Sequence, residues 1–256
     1  MSEVPQPRRT RDELRAALLD VGRSILLEEG LGTRADSLTF KHAFERVEAE
    51  TNWRLTNASV IGRVWKNQAD YQTDVLITIA LDESRAEIAP VIEAISMVLN
   101  GRDLSSAAAR AETLTEVCRV GGAAHGAALR RSASWSLWIN VWAMATSGPA
   151  PGMQQRLHAA LMEGYEALNE QFEKAFGNLM ALLGVRVRAP LTVRQFASAV
   201  GSLAEGCSLR DRVDDQMAGV LRPTGPKGED QEWTVFSIGL EALAHQFFEP
   251  DPAFDI

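Results

Sequence analysis

The chain has 256 residues, of which 46% are apolar and 23% are charged, with a net charge of −8. This composition is typical of an ordinary globular protein, and the length suits one large domain or two unequal ones. The charge is unevenly spread: residues 1–71 hold 11 basic and 11 acidic side chains, and the remaining residues hold 15 and 23. Because phosphate repels an acidic surface, a nucleic-acid partner should meet the N-terminal part.

The sequence gives no sign of export or membrane insertion. Its N-terminus is polar and charged, so we expect no signal peptide. The uncharged segment 132–155 has an apolar part, 133–146, that is too short to span a bilayer. Cys118 and Cys207 are far apart and match no metal spacing, which favours two reduced thiols in a cytoplasmic protein.

Motifs for catalysis are absent from the sequence. There is no G-x-S-x-G nucleophile motif, no Walker loop and no dinucleotide fingerprint. None of the four histidines has a partner at metal-ligand spacing. We therefore predict a protein that is not an enzyme and that has no metal site and no cofactor.

The spacing of apolar residues predicts helices along nearly the whole chain, without sustained alternating strand patterns. The first helix begins at a capping box formed by Thr10 and Glu13 and ends at Gly30. A second helix should run from Thr39 to Glu50, with an exit at Asn52. Two short helices after a longer one predict a three-helix, helix-turn-helix DNA-binding head over residues 1–66.

The third helix of this head is predicted over residues 56–66. One side carries Val60, Ile61, Val64 and Trp65 and should be buried. The other side is polar and includes Gly62, which would let the backbone approach DNA closely. The alternative is an amphipathic helix whose outer face meets only water.

The residues predicted to contact DNA share small polar or basic side chains at helix starts and on the outer face. They are Thr39, Lys41, Thr56, Asn57, Ser59, Arg63 and Lys66. Hydroxyl and amide groups at the tip would meet bases or phosphate, and Arg63 and Lys66 would meet phosphate.

Residues 67–256 are predicted to form a larger helical domain that binds an effector. Its first helix begins near Asn67, and the later helices are expected near 86–100, 104–119, 122–147, 153–184, 192–209 and 231–249. Breaks are expected at Gly121-Gly122 and at 149–152, among others. The run RPTGPKGED, residues 222–230, predicts a mobile loop.

Three tryptophans at helical spacing, Trp135, Trp138 and Trp142, predict a pocket for a small apolar or aromatic effector. His158 and Tyr165 complete the predicted pocket, and His125 and Asn140 are further candidates for its polar contacts. Core packing is the alternative, because large aromatic side chains are mostly found in cores.

A resemblance to a known family strengthens these predictions. The stretch from about residue 13 to 80 resembles the N-terminal head of the TetR family of bacterial transcriptional repressors. The matching segments are ELRAALLDVGRSILLEEGLG and SLTFKHAFERVEAETNWRLTNASVIGRVWKNQADYQTDVLITIA. Trp65 looks like the family's aromatic residue near the end of its recognition helix. Gly62 and Gln68 stand where the family usually has a tyrosine and a lysine.

The resemblance extends to the C-terminal stretches FASAVGSLAEGCSLRDRVD and FSIGLEALAHQFF, which look like the family's last two helices. It implies a homodimer formed through about 192–209 and 231–249, which would bind a palindromic double-stranded DNA operator. The apolar stripes expected at that interface are Phe196, Val200, Leu203, Phe236, Leu240, Leu243 and Phe247. The alternative is that these stripes pack only within one chain.

Together these observations predict an all-α, ligand-responsive transcriptional regulator, and the resemblance implies that it acts as a repressor. The alternative is an all-helical ligand-binding or adaptor protein whose head no longer binds DNA.

Overall fold

The computed structural model describes residues 9–30, 38–82, 88–147, 151–214, 219–225 and 227–254. Within these ranges the fold is all-α, as predicted, with four short strands in addition. The helices are α1 (Arg11–Glu29), α2 (Phe40–Thr51), α3 (Asn57–Val60), α4 (Gln68–Ala80), α5 (Ile88–Leu99), α6 (Ala107–Arg131), α7 (Ala133–Ser147), α8 (Pro151–Leu183), α9 (Val193–Arg210) and α10 (Val235–Phe247). The strands are β1 (Val185–Val187), β2 (Val220–Arg222), β3 (Gln231–Trp233) and β4 (Phe248–Pro250).

The chain forms two compact units, each made from two segments. The first unit comprises residues 1–82 and 133–164, and the second comprises 83–132 and 165–256. The expected domain boundary between residues 66 and 67 does not coincide with this division, because α4 and α7 pack against α1 and against each other. The functions assigned to the two domains stay a prediction.

Local sequence signals fix the helix ends of the first unit. The Glu13 amide donates to Thr10 Oγ1 at 3.2 Å, and the Thr10 amide donates to Glu13 Oε2 at 2.8 Å, so the predicted capping box is present. Thr39 caps α2 by accepting the His42 amide at 3.1 Å. Asn52 ends α2 in the left-handed conformation, with φ 60°.

An aromatic cluster holds α2, α4 and the segment between α3 and α4 together. Phe40 stacks on Phe44 at 5.5 Å and on Tyr71 at 5.1 Å, and Trp65 meets the Tyr71 ring edge-on at 5.0 Å. The Tyr71 hydroxyl donates to the Leu18 carbonyl of α1 at 3.0 Å, and burial raises the pKa of this phenol. The cluster therefore fixes the position of the polypeptide that carries the predicted DNA contacts.

Asp74 of α4 joins distant parts of the first unit. It accepts Trp65 Nε1 at 2.9 Å and pairs with Arg15 at 2.9 Å and with Arg156 of α8. Burial acts to raise the pKa of Asp74, but the bonds from Trp65 and the two arginines outweigh it and leave the pKa below its usual value. The carboxylate is therefore charged at neutral pH and can hold all three partners.

In the second unit, α5, α9 and α10 pack on α6. The break predicted at Gly121-Gly122 is wrong, because α6 runs through both glycines to Arg131. A Cβ atom on Gly121 would lie 3.0 Å from an Ile95 side-chain carbon of α5, and one on Gly122 would lie 2.9 Å from the Ser237 Cα of α10. The glycines serve close helix packing instead of ending a helix.

Gly122→Ala should lower the free energy of unfolding by about 1–3 kcal/mol, because the new methyl group forces α6 and α10 apart. Gly126→Ala, one turn along α6, is the matched control, since its Cβ would have only Arg130 Nη1 nearby, at 4.0 Å. This control should leave stability unchanged or raise it by up to about 1 kcal/mol through helix propensity. Urea unfolding followed by circular dichroism measures both, and equal effects of the two substitutions would contradict the close contact.

The predicted mobile loop connects two paired strands of a β-hairpin, and its mobility stays a prediction. Strands β2 and β3 pair antiparallel across residues 222–230, of which residue 226 lies outside the described part of the chain. The buried Trp233 donates its indole N–H to Thr224 Oγ1 at 2.8 Å, which fixes the base of the hairpin. Strands β1 and β4 form a second antiparallel pair. Strands of three residues are too short to show an alternating pattern in sequence.

Two predicted boundaries lie outside the described residues, namely the helix start near 86 and the first residues of the break at 149–152. No helix in the ranges that the structure describes is both long enough and apolar enough to cross a bilayer.

Candidate functional site

The third helix of the head is much shorter than predicted. α3 ends at Val60, Ile61 is extended with ψ 131°, and Gly62 has φ 78°. The Gly62 amide donates to the Trp65 carbonyl at 2.7 Å, so residues 62–65 form a tight turn. The prediction of a helix over 56–66 is wrong, because Gly62 redirects the backbone after one helical turn. Glycine adopts a positive φ at little conformational cost, since it has no Cβ atom.

This turn also changes which side chains are buried. Val60, Val64 and Trp65 are buried as predicted, but Ile61 is 41% exposed. Nothing lies within 4 Å of a Cβ placed on Gly62, so its positive φ accounts for the glycine. The proposed role of Gly62 in close approach to DNA therefore has a simpler structural explanation.

Two exposed cations follow α3. Arg63 donates from Nη2 to the Arg9 carbonyl at 2.6 Å, and the Arg9 guanidinium lies 4.3 Å from the centre of the Trp53 ring. Within the described part of the chain, neither Arg63 nor Lys66 has an ion pair with a carboxylate. Their charges are therefore not neutralised by an acidic neighbour in direct contact.

Other cations of the head do have acidic partners. Arg46 pairs with Glu28 and with Glu50, and Arg54 pairs with Glu48 at 3.1 Å. Lys41, a predicted DNA contact at the start of α2, lies 3.9 Å from Glu45. These pairs are exposed, so they are weak, but they place negative charge beside most of the basic groups of α2.

The other predicted DNA contacts are exposed or engaged locally. The Ser59 hydroxyl accepts the Thr56 amide at 3.0 Å and donates to the Thr56 carbonyl at 2.7 Å, and Asn57 between them is exposed. The Thr39 hydroxyl caps α2. Within the described part of the chain, Thr56 and Ser59 are the two members of the predicted set of seven that hydrogen-bond to each other.

The predicted tryptophan pocket is divided between the two units. Trp135 and Trp138 of α7 are buried in the first unit, whereas Trp142 is 45% exposed. His158 is an exposed residue of the first unit, and the Tyr165 hydroxyl of the second unit lies 3.0 Å from a Glu205 carboxylate oxygen. The buried pair contributes to the packing of α7, which lies against α1 and α4.

A different cavity, of about 390 Å³, lies entirely in the second unit. Its walls come from α5, α6, α8, α9 and α10, and they are mainly Ile, Val, Leu and Phe side chains. The five residues of the predicted tryptophan pocket are not among its lining residues. The polar or weakly polar side chains that line it are Ser96, Cys118, His125 and Asn178.

Two of these groups are held neutral by burial. Burial lowers the pKa of His125 to about 4, and its ring lies 5.6 Å from the ring of Phe236. Burial, followed by the negative charge of Glu241, raises the pKa of the Cys118 thiol to about 12. At neutral pH the cavity therefore presents an uncharged imidazole and an uncharged thiol.

Sequence reasoning named His125 as a polar contact of a pocket, but it built that pocket on the tryptophans of α7, a helix that does not line this cavity. A usable signal was present in α5, where IAPVIEAISMVL contains Glu93 as its one charged residue. A helix that is apolar on nearly all sides must be covered or must line a cavity.

The apolar stripes predicted to form the dimer interface lie inside the second unit. Phe196 packs on Phe176 at 4.9 Å, on Phe247 at 5.4 Å and on Phe248 at 4.5 Å. A Cβ on Gly239 of α10 would lie 2.7 Å from a Leu203 methyl carbon of α9. Phe196 and Leu203 therefore make contacts within the chain. The other stripe residues include Leu240 and Leu243, which are only half-buried, so a homodimer through about 192–209 and 231–249 stays a prediction.

No protein-family model matches the chain, and a comparison with curated proteins found no significant match. Among solved structures, the chain is similar to SmeT, the repressor of the Stenotrophomonas maltophilia multidrug efflux pump SmeDEF. The TM-score is 0.40 at 12% sequence identity, over 97% of this chain and 94% of that chain. This similarity is too low to assign a family, so membership of the TetR family stays a prediction.

Proposed function

We propose that the chain is a ligand-responsive, DNA-binding transcriptional regulator. The observation that carries the proposal is the pair of exposed cations, Arg63 and Lys66, beside α3, without an ion-paired carboxylate among the described residues. Cations that are not neutralised by the protein itself can replace the counterions of DNA phosphates, which is the main source of affinity for a duplex.

In this proposal the two cations position the head on DNA, and the polar residues at the start of α3 provide its preference for particular DNA sequences. Arg63 and Lys66 bind phosphate, and the exposed Thr56 and Asn57 side chains meet base edges or sugar-phosphate. Because α3 has only four residues, it presents few side chains to a groove. We therefore expect a larger share of non-specific, salt-dependent binding than a long recognition helix would give.

The proposal includes a cytoplasmic homodimer on a palindromic operator, acting as a repressor. Two-fold symmetry of the protein would match the symmetry of the operator. Such a dimer could cover exposed apolar residues of the last two helices, among them Leu209 of α9 and Val235 and Ala242 of α10. Sedimentation of the full chain gives the oligomeric state directly.

Arg63→Ala should weaken binding to every duplex, because one phosphate contact is lost. The negative slope of log affinity against log salt concentration should become shallower by about 1. The test is a salt titration by fluorescence anisotropy, using a duplex selected from fragments of the host genome. Lys227→Ala, which removes an exposed cation of the second unit, is the control and should change neither quantity. An unchanged slope for Arg63→Ala would remove this residue from the interface.

The alternative function is that of an all-helical ligand-binding or adaptor protein without DNA binding. The shortened α3 and the apolar cavity of the second unit favour it, since a binding protein needs the cavity and not the recognition helix. If the wild-type chain binds no duplex at low salt, while a small molecule raises its thermal stability, this alternative replaces the regulator.

A further inference from the structure

We propose that the cavity of the second unit binds an uncharged lipophilic molecule, with a hydrocarbon body and one neutral hydrogen-bonding group that contacts His125. The inference names the effector class of the proposed regulator and depends on that function only for the ligand's regulatory role. Binding itself is measured without DNA, so failure here and failure of DNA binding are separate results.

The size and lining of the cavity define the body of the ligand. A volume of about 390 Å³ lies at the lower end of the range of ~300–1,000 Å³ typical of small-molecule sites. The wall includes aromatic rings from three helices, among them Phe172, Phe196 and Phe236. Such a wall stabilises a ligand by removing its apolar surface from water.

The absence of charge in the lining defines what the ligand cannot carry. No Asp, Glu, Lys or Arg is among the lining residues that the structure describes. Transferring a carboxylate or an ammonium group into such surroundings without a partner is very unfavourable. A fatty acid anion or a cationic amphiphile should therefore bind much more weakly than a neutral molecule with the same chain.

His125 supplies the polar contact. Its imidazole lines the cavity beside Phe236, and burial keeps it neutral, so it offers one donor and one acceptor. A hydroxyl or carbonyl group can use either of these. A ligand with a neutral polar group near His125 can therefore form a hydrogen bond there without a charged partner.

The exposed part of the lining contains large apolar side chains beside the polar Ser96 and Asn178. Ile92 of α5 and Leu182 of α8 both line the cavity, and they are 56% and 45% exposed. No described residue of the lining is charged, so none of them opposes the entry of a neutral lipophile. A second copy of the chain covering these residues is the competing occupant, and the experiment below separates the two.

The probes are 1-decanol, decanoate and decyltrimethylammonium, which share one chain and differ in charge. Binding to the full chain is measured by isothermal titration at pH 7.5, below the solubility limit of 1-decanol and below the micelle concentrations of the two charged probes. We expect 1-decanol to bind at least tenfold more tightly than either charged probe. Equal binding of the three probes, or no binding of 1-decanol, would overturn the proposal.

Two variants locate the site. Ala175→Trp places a large side chain at an exposed position that lines the cavity, and Ala181→Trp places it at an exposed position of the same helix outside the lining. We expect the first to abolish 1-decanol binding and the second to leave it unchanged. Retained binding in Ala175→Trp would place the ligand elsewhere and overturn the proposal.

His125→Phe keeps a ring of similar size but removes the polar contact. We expect about fivefold weaker binding of 1-decanol, in line with one neutral hydrogen bond. Unchanged affinity would remove His125 from the site.

Sedimentation of each variant tests whether a second copy of the chain occupies the cavity. The second copy would be the occupant if the wild type is a dimer that binds no 1-decanol and Ala175→Trp converts it to a monomer. That result would overturn the lipophile proposal.

Discussion

Trp65→Ala should lower the free energy of unfolding by about 3–5 kcal/mol, the range typical of removing a large buried aromatic side chain. The indole is 5% exposed, meets the Tyr71 ring at 5.0 Å and donates to Asp74 at 2.9 Å. The substitution removes the ring contact and the hydrogen bond together and leaves a cavity behind. Urea unfolding followed by circular dichroism avoids a readout that depends on the deleted fluorophore.

The conservative variant separates packing from hydrogen bonding. Trp65→Phe keeps an aromatic ring against Phe40 and Tyr71 but cannot donate to Asp74. We expect a loss of about 1–3 kcal/mol, because a partly buried carboxylate loses one of its donors while Arg15 and Arg156 remain. A loss equal to that of Trp65→Ala would mean that the hydrogen bond, and not the ring, carries the stability.

Phe196→Ala should be comparably destabilising, by about 3–5 kcal/mol, and should act on the second unit. Phe196 is 2% exposed and touches three other phenylalanine rings, from α8, from α10 and from β4. It is therefore the point where those three elements meet α9. Thermal unfolding by calorimetry measures the effect.

Leu209→Ala is the matched control, since Leu209 is a large apolar residue of the same helix and is 44% exposed. It should change stability by about 0.5 kcal/mol or less. A large loss from Leu209→Ala in a dimeric sample would instead show that the outer face of α9 is covered by another chain. A small loss from Phe196→Ala would contradict the ring cluster.

Features set by short-range chemistry were predictable from the sequence. The Thr10–Glu13 capping box and the Asn52 exit each depend on residues within one helical turn, and both are present. The buried stripe of α1, with Leu14, Leu18 and Ile25, follows from helical periodicity alone. Such signals do not depend on the tertiary contacts between helices.

Features set by long-range contacts were not predictable. Apolar periodicity at Val60 and Val64 is the same for a continuous helix and for a turn, and only the backbone at Gly62 distinguishes them. Gly121 and Gly122 are typical helix breakers in sequence, but the approach of α5 and α10 makes them necessary inside α6. The cavity assembles from five helices, so no single segment indicates it.

The origin of the first unit in two chain segments affects its biosynthesis. α7 packs on α1 and α4, and Arg156 of α8 pairs with Asp74 of α4, yet the ribosome makes both helices only after residues 83–132 of the other unit. The aromatic cluster around Tyr71 lies within residues 40–71, but its unit is complete only when residue 164 has been made. Truncation after residue 82 would therefore leave the apolar faces that α7 covers open to aggregation. Genetic dissection of the head therefore calls for point substitutions in the full-length gene instead of deletions.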